Sequence, residues 1–359
     1  MLLPRTFPPR RELLPTNILG RCCKVWSCSC YSYVRRRCHR RMSLLTNSSY
    51  QRHLLIIFLF CLFIYYNLLT QTKNSDIINQ TAKPIRILYL IRTAAHFYRV
   101  RLIYLLQTWI SLVKDDVFFT SDLLLPNISE TRMILTKETC GSEAHSMNIL
   151  CCKTAHDFII YHRYLSKYDW FCHFDDDQYV NVNKLEEYLS TLDSNQPYYV
   201  GRASWSDTIK RSKEPFPYPF WFATLGAGVC LSKHSISLLE PYTQSVSAFI
   251  DGCINENYHD DIYLGFLLNG YLNISLTQNS HFHSHLEKSF YHDKQTFLRT
   301  FKNEITFGFS RPDRYPHFLP QLYQSNLDPY RIRTLHCLLN TQLKECERKI
   351  QQHLFNSTK

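Results

Sequence analysis

The sequence predicts an α/β fold with a mainly parallel central sheet, preceded by one transmembrane helix. Short apolar runs rich in β-branched and aromatic residues alternate with longer stretches in which apolar residues recur every three or four positions. The first pattern is typical of buried strands and the second of amphipathic helices. This alternation favours a parallel sheet covered on both faces, and ligands of such sheets bind beyond the carboxyl ends of the strands.

The predicted elements begin at residue 85, and their order supports this fold class. Strands are predicted at 85–91, 116–120, 170–174 and 198–201. Helices are predicted around 102–110, 153–167, 183–192 and 260–268. The apolar residues at helical spacing in 102–110 belong to the core rather than to a cofactor site.

The positive charge is concentrated at one end of the chain. The net charge is +11, and residues 1–53 hold eleven Lys and Arg against a single Glu, which leaves +1 for the remainder. A nearly neutral main domain argues against a broad face for binding DNA or RNA. We therefore expect no nucleic-acid partner.

An uninterrupted apolar run, 54–69, follows the basic segment directly. It is slightly shorter than the roughly 20 residues of an average spanning helix, which suits the thinner membranes of the early secretory pathway. Because basic flanks stay cytoplasmic, the pattern predicts a type II signal anchor, with 1–53 as a cytoplasmic tail. A cleaved signal peptide is the alternative, but a leader of more than 50 residues is too long for one.

The remaining segments are a polar stem (70–84), a lumenal domain (85–346) and a C-terminal tail (347–359). An even number of cysteines in an oxidising compartment predicts disulfides, and adjacent cysteines are a poor pair for chelating zinc. Eight cysteines lie beyond the anchor: Cys140, Cys151, Cys152, Cys172, Cys230, Cys253, Cys337 and Cys346. Lumenal Asn-x-Ser/Thr sequences permit glycosylation at Asn79, Asn127, Asn273 and Asn356.

Three consecutive acids, Asp175, Asp176 and Asp177, follow directly after the predicted strand 170–174. They should therefore lie at the sheet edge where ligands bind. Like charges this close favour a bound cation, and oxygen ligands suit Mg²⁺ or Mn²⁺. A metal held there also neutralises the charge on a departing nucleotide diphosphate. A solvated surface loop is the alternative for an acidic run.

A second acidic pair, Asp260 and Asp261, stands at the start of the predicted helix 260–268. Acids at this end of a helix complement its dipole, so simple capping is one interpretation. A carboxylate at the edge of a site also serves as a general base. The residues alone leave both interpretations open.

Two further segments have unusual composition. In an extended segment, His281, His283 and His285 would share one face and offer imidazoles to Mn²⁺, and a polar edge strand is the alternative. The segment 220–230 holds two of only nine glycines, Gly226 and Gly228. Small residues after aromatics allow close approach of the backbone to a ligand, or else form a tight turn packed on the core.

Six segments, taken in order, resemble the Fringe β1,3-N-acetylglucosaminyltransferases over about residues 85–346. They are RTAAHFYRVRL…TWIS (92–111), WFCHFDDD (170–177), FWFATLGAGVC (220–230), DDIYLG (260–265), FHSHLE (282–287) and RTLHCLL (333–339). FHSHLE and RTLHCLL are particularly characteristic of that family. The resemblance implies a GT-A type nucleotide-sugar-binding fold in an enzyme of the Golgi membrane.

The resemblance also implies roles for single residues. Asp177 and His285 match the family's ligands for Mn²⁺. Asp176 matches a residue that contacts the UDP-sugar, and Thr93 falls in the donor-contacting segment. Asp261 matches the general base.

The family's disulfides carry over as Cys140–Cys151, Cys172–Cys230 and Cys337–Cys346, which leaves Cys152 and Cys253 to pair or to stay reduced. There are two departures from the family pattern. Leu225 stands where a glycine is usual, and RTAA (92–95) stands where Lys-Thr-Thr is common. Both bear on the choice of donor sugar.

The activity implied by the resemblance is inverting transfer of GlcNAc from UDP-GlcNAc, in β1,3 linkage, to O-linked fucose. The acceptors would be EGF-like repeats of Notch-like proteins, so the enzyme would modulate Notch signalling. One alternative is another β1,3-glycosyltransferase, of galactosyl or core-1 type. The other is a catalytically inactive, membrane-tethered carbohydrate-binding protein. The intact acidic triplet, Asp261 and the FHSH segment favour an active enzyme.

Overall fold

The computed structural model describes residues 84–141, 146–287, 293–309 and 318–357. They belong to one compact unit, Ala82–Lys359. The predicted cytoplasmic tail, the predicted anchor and all of the predicted stem except its last residue lie outside the described residues. Within the described ranges, no helix is both long enough and apolar enough to span a bilayer.

The strands form a seven-stranded sheet and a separate two-stranded ribbon. In chain order they are β1 (Ile87–Arg92), β2 (Val117–Ser121), β3 (Met133–Leu135), β4 (Trp170–Asp175), β5 (Gln178–Val180), β6 (Tyr199–Gly201), β7 (Val229–Ser232), β8 (Leu276–Gln278) and β9 (Thr306–Gly308). The sheet order is β3-β2-β1-β4-β7-β6-β8, and β5 pairs with β9 in the ribbon. Only β7 of this sheet runs against its neighbours, β4 and β6. The expected mainly parallel sheet is confirmed.

The α-helices of the described chain lie between and after these strands. They are α1 (Ile103–Leu106), α2 (Trp109–Leu112), α3 (Lys137–Cys140), α4 (Met147–Arg163), α5 (Val182–Ser190), α6 (Lys233–Thr243), α7 (Val246–Glu256), α8 (Asp260–Gly265), α9 (Lys294–Thr300), α10 (Ile332–Leu339) and α11 (Lys344–Ser357). Wider π-helical turns, Tyr98–Leu102 and Phe266–Tyr271, adjoin α1 and α8.

Both faces of the sheet are buried. Successive residues of a strand point to opposite faces. Tyr89 and Trp170 pack in one core together with apolar residues of α1, α2, α5 and α10. Leu90 and Phe171 pack in the other with residues of α4, α6, α7 and α8. Burial on both faces explains why the central strands are almost continuously apolar in the sequence.

Most predicted elements are confirmed, with two differences. The helix predicted at 153–167 begins earlier, at Met147. The helix predicted around 102–110 is broken at Thr108, which lies outside the helical region with φ −127° and ψ −113°. The Thr108 hydroxyl donates to the Tyr104 carbonyl at 2.7 Å. A side-chain donor that competes with the backbone in this way disfavours a continuous helix.

The ribbon of β5 and β9 joins distant parts of the chain beside the acidic triplet. Gln178 pairs with Gly308, and the Phe309 N–H donates to the Asp177 carbonyl at 2.7 Å. The last acid of the triplet is therefore fixed to the segment that follows β9.

Two of the three expected disulfides are confirmed, and the third is wrong. The bonds are Cys140–Cys152, Cys151–Cys253, Cys172–Cys230 and Cys337–Cys346. Cys140 thus bonds Cys152 instead of Cys151. Adjacent helical residues point about 100° apart around the axis. On α4, Cys152 therefore reaches α3, while Cys151 reaches α7, where Cys253 is fully buried.

Candidate active site

The acidic triplet lies at the carboxyl edge of the sheet, as predicted. Asp175 ends β4 and lies opposite Arg92, which ends β1. The Asp176 N–H donates to the Arg92 carbonyl at 3.1 Å, which turns the chain away from the strand. Asp176 and Asp177 are each only 3% exposed. The triplet is therefore a largely buried cluster rather than a solvated loop.

Two of these carboxyl groups occupy surroundings that disfavour their charge. Burial raises the pKa of Asp176 to about 6. Burial and the charges of Asp175 and Asp176 raise the pKa of Asp177 well above its usual range. Arg101 offsets part of this effect, because its Nη1 lies 3.2 Å from Asp176 Oδ1 and 3.4 Å from Asp177 Oδ2. A bound cation would offset the remaining repulsion between these carboxylates.

The predicted metal ligands come together from distant parts of the chain. His285 Nδ1 lies 3.4 Å from Asp177 Oδ2. Asp177 Oδ1 is buried and makes no hydrogen bond within the part of the chain that the structure describes. Buried polar atoms normally have a partner, and Mn²⁺ accepts both carboxylate and imidazole ligands. The residues present therefore fit a divalent metal ion.

Gly308 allows the His285 backbone to approach β9. A Cβ at Gly308 would lie 2.2 Å from the His285 nitrogen and 2.6 Å from the Ser284 carbonyl carbon. Real side-chain atoms do not tolerate such distances, so only glycine fits here. Since β5 follows Asp177 directly, the ribbon brings both predicted ligands to the same place.

Glutamates hold the other two histidines of this segment. His283 Nδ1 lies 2.9 Å from Glu287 Oε2, and its Nε2 lies 3.0 Å from Glu304 Oε2. His281 Nδ1 lies 2.8 Å from the same Glu304 oxygen. Burial lowers the pKa of His283, but its hydrogen bonds to these carboxylates outweigh that effect and raise it. Residues 281–287 form turns and coil rather than a strand, so the expectation of three imidazoles on one extended face is wrong.

The two predicted donor-contacting residues touch each other. Thr93 Oγ1 donates to Asp176 Oδ2 at 2.7 Å. No sequence pattern predicts Lys153 of α4, which is only 9% exposed. Burial and the charge of Arg92 lower the pKa of Lys153, against the opposing effect of Asp122 and other acids. Lys153 is therefore a buried, partly desolvated ammonium on α4.

The adjacent acids of α8 have different surroundings. Asp260 Oδ2 lies 2.9 Å from Arg92 Nη1 and accepts a hydrogen bond of 2.7 Å from the Thr154 hydroxyl. Asp261 is half-buried, and its Oδ1 accepts from the Ile262 N–H at 2.8 Å. Burial and the charge of Asp260 raise the pKa of Asp261 to about 7. Asp260 is thus engaged within the protein, and Asp261 has the properties that a general base needs.

A buried network connects this helix to the triplet. Arg92 Nη2 lies 3.0 Å from Asp157 Oδ2, besides its contact with Asp260. His173 Nδ1 lies 3.1 Å from the same Asp157 oxygen, and its Nε2 lies 3.3 Å from Asp175 Oδ1. Arg92, Asp157 and His173 are functional candidates that were not expected from the sequence. The available signal was a charged or polar residue inside an otherwise apolar strand or helix face.

The segment 220–230 contains both features that its composition suggested: a tight turn on the core at Gly228 and a backbone group at the site at Gly226. Gly228 has φ +92°, and a Cβ there would lie 2.7 Å from the Phe174 ring, as in a tight turn against the core. Gly226 lies at the site. Its carbonyl accepts from Gln178 Nε2 at 3.0 Å, and its Cβ position would be 3.9 Å from Asp175 Oδ2.

The chain is similar in sequence to known proteins over most of its described residues. A family model described as Fringe-like matches residues 83–343. The radical fringe β1,3-N-acetylglucosaminyltransferase of Notophthalmus viridescens is 31% identical over 264 residues, covering 71% of this chain and 65% of that protein. The lunatic fringe β1,3-N-acetylglucosaminyltransferase of Gallus gallus is 30% identical over 269 residues, covering 73% and 72%. The Fringe glycosyltransferase of Drosophila melanogaster is 30% identical over 268 residues, covering 71% and 62%.

This chain thus spans less than two thirds of the newt and fly proteins. The range matched by the family model nevertheless includes all five predicted site residues, which are Thr93, Asp176, Asp177, Asp261 and His285. It covers the whole central sheet from β1 to β8 and the ribbon that joins the metal-ligand candidates. This chain belongs to the Fringe family.

Proposed function

We propose that this chain is an inverting, Mn²⁺-dependent β1,3-N-acetylglucosaminyltransferase with a GT-A type fold. Its donor is UDP-GlcNAc, its acceptor is O-linked fucose on EGF-like repeats of Notch-like proteins, and its product modulates Notch signalling. The observation that carries the proposal is the 3.4 Å contact between Asp177 and His285 within a buried acidic cluster. Membership of a family whose members are named as β1,3-N-acetylglucosaminyltransferases supports it.

In this proposal Asp177 and His285 hold the Mn²⁺. When bound, the ion supplies positive charge that stabilises the diphosphate of the departing UDP. Thr93 and Asp176 contact the donor, and their mutual hydrogen bond of 2.7 Å fixes the orientation of the carboxylate. A carboxylate whose rotamer is fixed before the substrate arrives loses less entropy on binding.

Asp261 is the proposed general base. A pKa of about 7 suits a group that accepts a proton near neutral pH. The proton of the fucose 3-hydroxyl passes to the Asp261 carboxylate as that oxygen forms a bond to C1 of GlcNAc. The bond between C1 and the UDP oxygen breaks, and its electron pair leaves with UDP. Attack opposite the leaving group inverts the configuration at C1.

The departure at Leu225 does not weigh against UDP-GlcNAc. Its side chain is only 6% exposed and packs with Val229 and Leu264 in the core on the α4 face. A residue directed into the core does not select the donor sugar by contact. Of the two departures from the family pattern, only RTAA (92–95) is left to favour the galactosyl alternative.

We further propose that the protein is a type II Golgi membrane protein anchored by 54–69. The disulfides support a catalytic domain in an oxidising lumen. The sequons Asn127, Asn273 and Asn356 have exposed asparagines, which glycosylation requires. Protease protection of microsomes that contain the tagged protein tests this topology. A catalytic domain that carries no glycan removable by glycosidase and is digested without detergent would contradict it.

The activity is tested with the full-length chain purified in detergent. Transfer from UDP-GlcNAc and from UDP-Gal to an O-fucosylated EGF repeat is measured with Mn²⁺ and after chelation. We expect Mn²⁺-dependent transfer of GlcNAc in preference to galactose. Preference for galactose would support the alternative transferase, and absence of both transfer and donor hydrolysis would support the inactive carbohydrate-binding protein.

Calorimetry separates the metal ligand from the base. Asp177→Ala should weaken Mn²⁺-dependent binding of UDP, whereas Asp261→Asn should leave that binding unchanged while removing transfer. Unchanged UDP binding in Asp177→Ala would contradict its role as a ligand.

A further inference from the structure

Trp205 is an exposed aromatic residue in the segment between β6 and β7. It is 55% exposed, whereas Trp109 and Trp170 are fully buried. Its ring lies 5.5 Å from the Phe222 ring, and the two planes are inclined at 80°. The Ser204 N–H donates to the Phe222 carbonyl at 3.1 Å, which fixes the adjacent backbone. The indole is thus supported on one side and open on the other.

Phe222 connects this indole to the helix that carries the proposed base. A Cβ at Gly265 would lie 2.3 Å from the Phe222 Cβ, so α8 packs directly on this segment. Gly265 follows Asp261 by four residues, a rise of about 6 Å along a helix. The Ala223 N–H donates to the Tyr199 hydroxyl at 2.7 Å. Tyr199 belongs to β6, so this hydrogen bond fixes the backbone next to Phe222 to the sheet.

The other end of the same short segment contacts the loop of the proposed metal ligand. Arg202 Nη2 lies 3.0 Å from Glu287 Oε2, and Glu287 follows His285 by two residues. Residues 202–205 therefore extend from the loop that carries His285, the proposed metal ligand, to the segment that packs on α8, the helix that carries Asp261. An acceptor must lie between that loop and that helix for its hydroxyl to reach both the base and the donor carbon.

We propose that Trp205 is a specificity-determining residue that packs against the acceptor sugar through its exposed indole surface. This inference rests on the proposed function, in which that sugar is fucose. Fucose is a 6-deoxy sugar, so it presents a methyl group where galactose presents a hydroxymethyl group. An indole offers a large, rigid and apolar surface that buries such a methyl group and the adjacent C–H bonds. It does not compensate the buried hydroxyl of the galactose analogue, which is the basis of discrimination.

The test uses the full-length chain, UDP-GlcNAc, and two small acceptors, methyl α-L-fucoside and methyl α-L-galactoside. Trp205→Ala should raise the KM for the fucoside roughly 5- to 30-fold, the factor for loss of one good aromatic contact. The KM for UDP-GlcNAc and the rate of UDP-GlcNAc hydrolysis without acceptor should not change. The preference for fucoside over galactoside should fall towards one, and Trp205→Phe should restore part of it.

Tyr218→Ala is the matched control. Tyr218 is 58% exposed and belongs to the same connecting segment. Two isolated β-bridges, Ala203 with Ala223 and Ile209 with Phe220, hold this segment together. Trp205 lies near the first bridge and Tyr218 near the second, so the two residues are at opposite ends of the bridged segment. We expect Tyr218→Ala to keep the fucoside KM and the acceptor preference of the unmodified protein.

Fluorescence adds a readout that does not depend on turnover. The fucoside should protect an exposed tryptophan from acrylamide quenching in the unmodified protein and in Tyr218→Ala, but not in Trp205→Phe. Unchanged kinetics and preference in Trp205→Ala, with active unmodified protein, would overturn the role of Trp205 alone. Absence of transfer to the fucoside by the unmodified protein, despite Mn²⁺-dependent binding of UDP, would overturn the acceptor assignment and this inference with it.

Discussion

Replacing the adjacent acids of α8 one at a time should change stability in opposite directions at neutral pH. Asp261 is held at a pKa of about 7, because burial and the neighbouring Asp260 disfavour its ionised form. Asp260, by contrast, is ion-paired with Arg92 at 2.9 Å. The substitution of each aspartate by asparagine keeps the shape of the side chain, removes its charge and replaces one acceptor oxygen by an NH₂ donor.

The expected gain for Asp261→Asn follows from proton binding. Between about pH 4 and pH 7 the folded protein keeps a proton on Asp261 that the unfolded chain has lost, so its free energy of unfolding falls as pH rises. The full difference between the pKa of Asp261 and that of an ordinary aspartate corresponds to a free energy of at most ~4 kcal/mol. Because the side chain is only half-buried, solvent screening reduces this to ~1–3 kcal/mol. Asn should recover that amount at pH 7.5 and almost none at pH 4.

The expected loss for Asp260→Asn follows from its contacts. Removal of the only partner of a buried charge typically costs about 3–5 kcal/mol. Arg92 keeps a second carboxylate, Asp157, at 3.0 Å. We therefore expect a smaller destabilisation of ~2–3 kcal/mol at pH 7.5.

Urea unfolding of the full-length chain in detergent, at pH 4 and at pH 7.5, measures both effects. Transfer assays on the same samples should show a loss of about 10²- to 10⁴-fold for Asp261→Asn, as for removal of a general base. Asp260→Asn should lose less activity at the same fraction of folded protein. Equal destabilisation by the two substitutions at pH 7.5 would refute the assignment of different roles to these carboxylates.

Three further outcomes are expected. Transfer at saturating substrates should rise with pH through a midpoint near 7, because the base must be ionised, and a flat profile from pH 5 to 8 would contradict this. Gly308→Ala should weaken Mn²⁺ binding roughly 10- to 100-fold in calorimetry, since it displaces His285, the proposed metal ligand, while the far-UV spectrum stays unchanged. Peptide mapping without reduction should recover Cys151 linked to Cys253. The Cys151–Cys253 bond closes a loop of 102 residues, whereas Cys337–Cys346 closes one of 9. Removing the first bond should therefore lower the free energy of unfolding by ~2 kcal/mol more than removing the second. Equal losses would contradict this dependence on loop length.

The sequence predicts the strands of the sheet better than their arrangement. Strands such as β1 and β4 are buried on both faces, so their composition alone identifies them. The reversed direction of β7 depends on its pairing with β4, from Trp170 opposite Ser232 to His173 opposite Val229. Such pairing joins residues far apart in the chain and leaves no local pattern. The break at Thr108 was equally hidden, because threonine is tolerated both inside and between helices.

In the candidate site, too, some residues could be located from the sequence and others could not. Asp175–Asp177 could be located from residue type and from position after a strand, and the roles of Asp261 and His285 came from the resemblance. Three members of the network, Arg92, Asp157 and His173, could not be located in this way. They lie on β1, α4 and β4, and no local pattern shows that they meet. The disulfides of α4 were ambiguous because the directions of adjacent cysteines depend on where α3 and α7 pack.

The ribbon of β5 and β9 has a consequence for biosynthesis. The ribosome completes Asp177 well before it reaches β9, and domains begin to fold as the chain emerges. Until β9 pairs with β5, the acidic loop lacks the glycine support of the segment that carries His285. The two proposed metal ligands, Asp177 and His285, therefore reach their observed contact only after β9 has been synthesised.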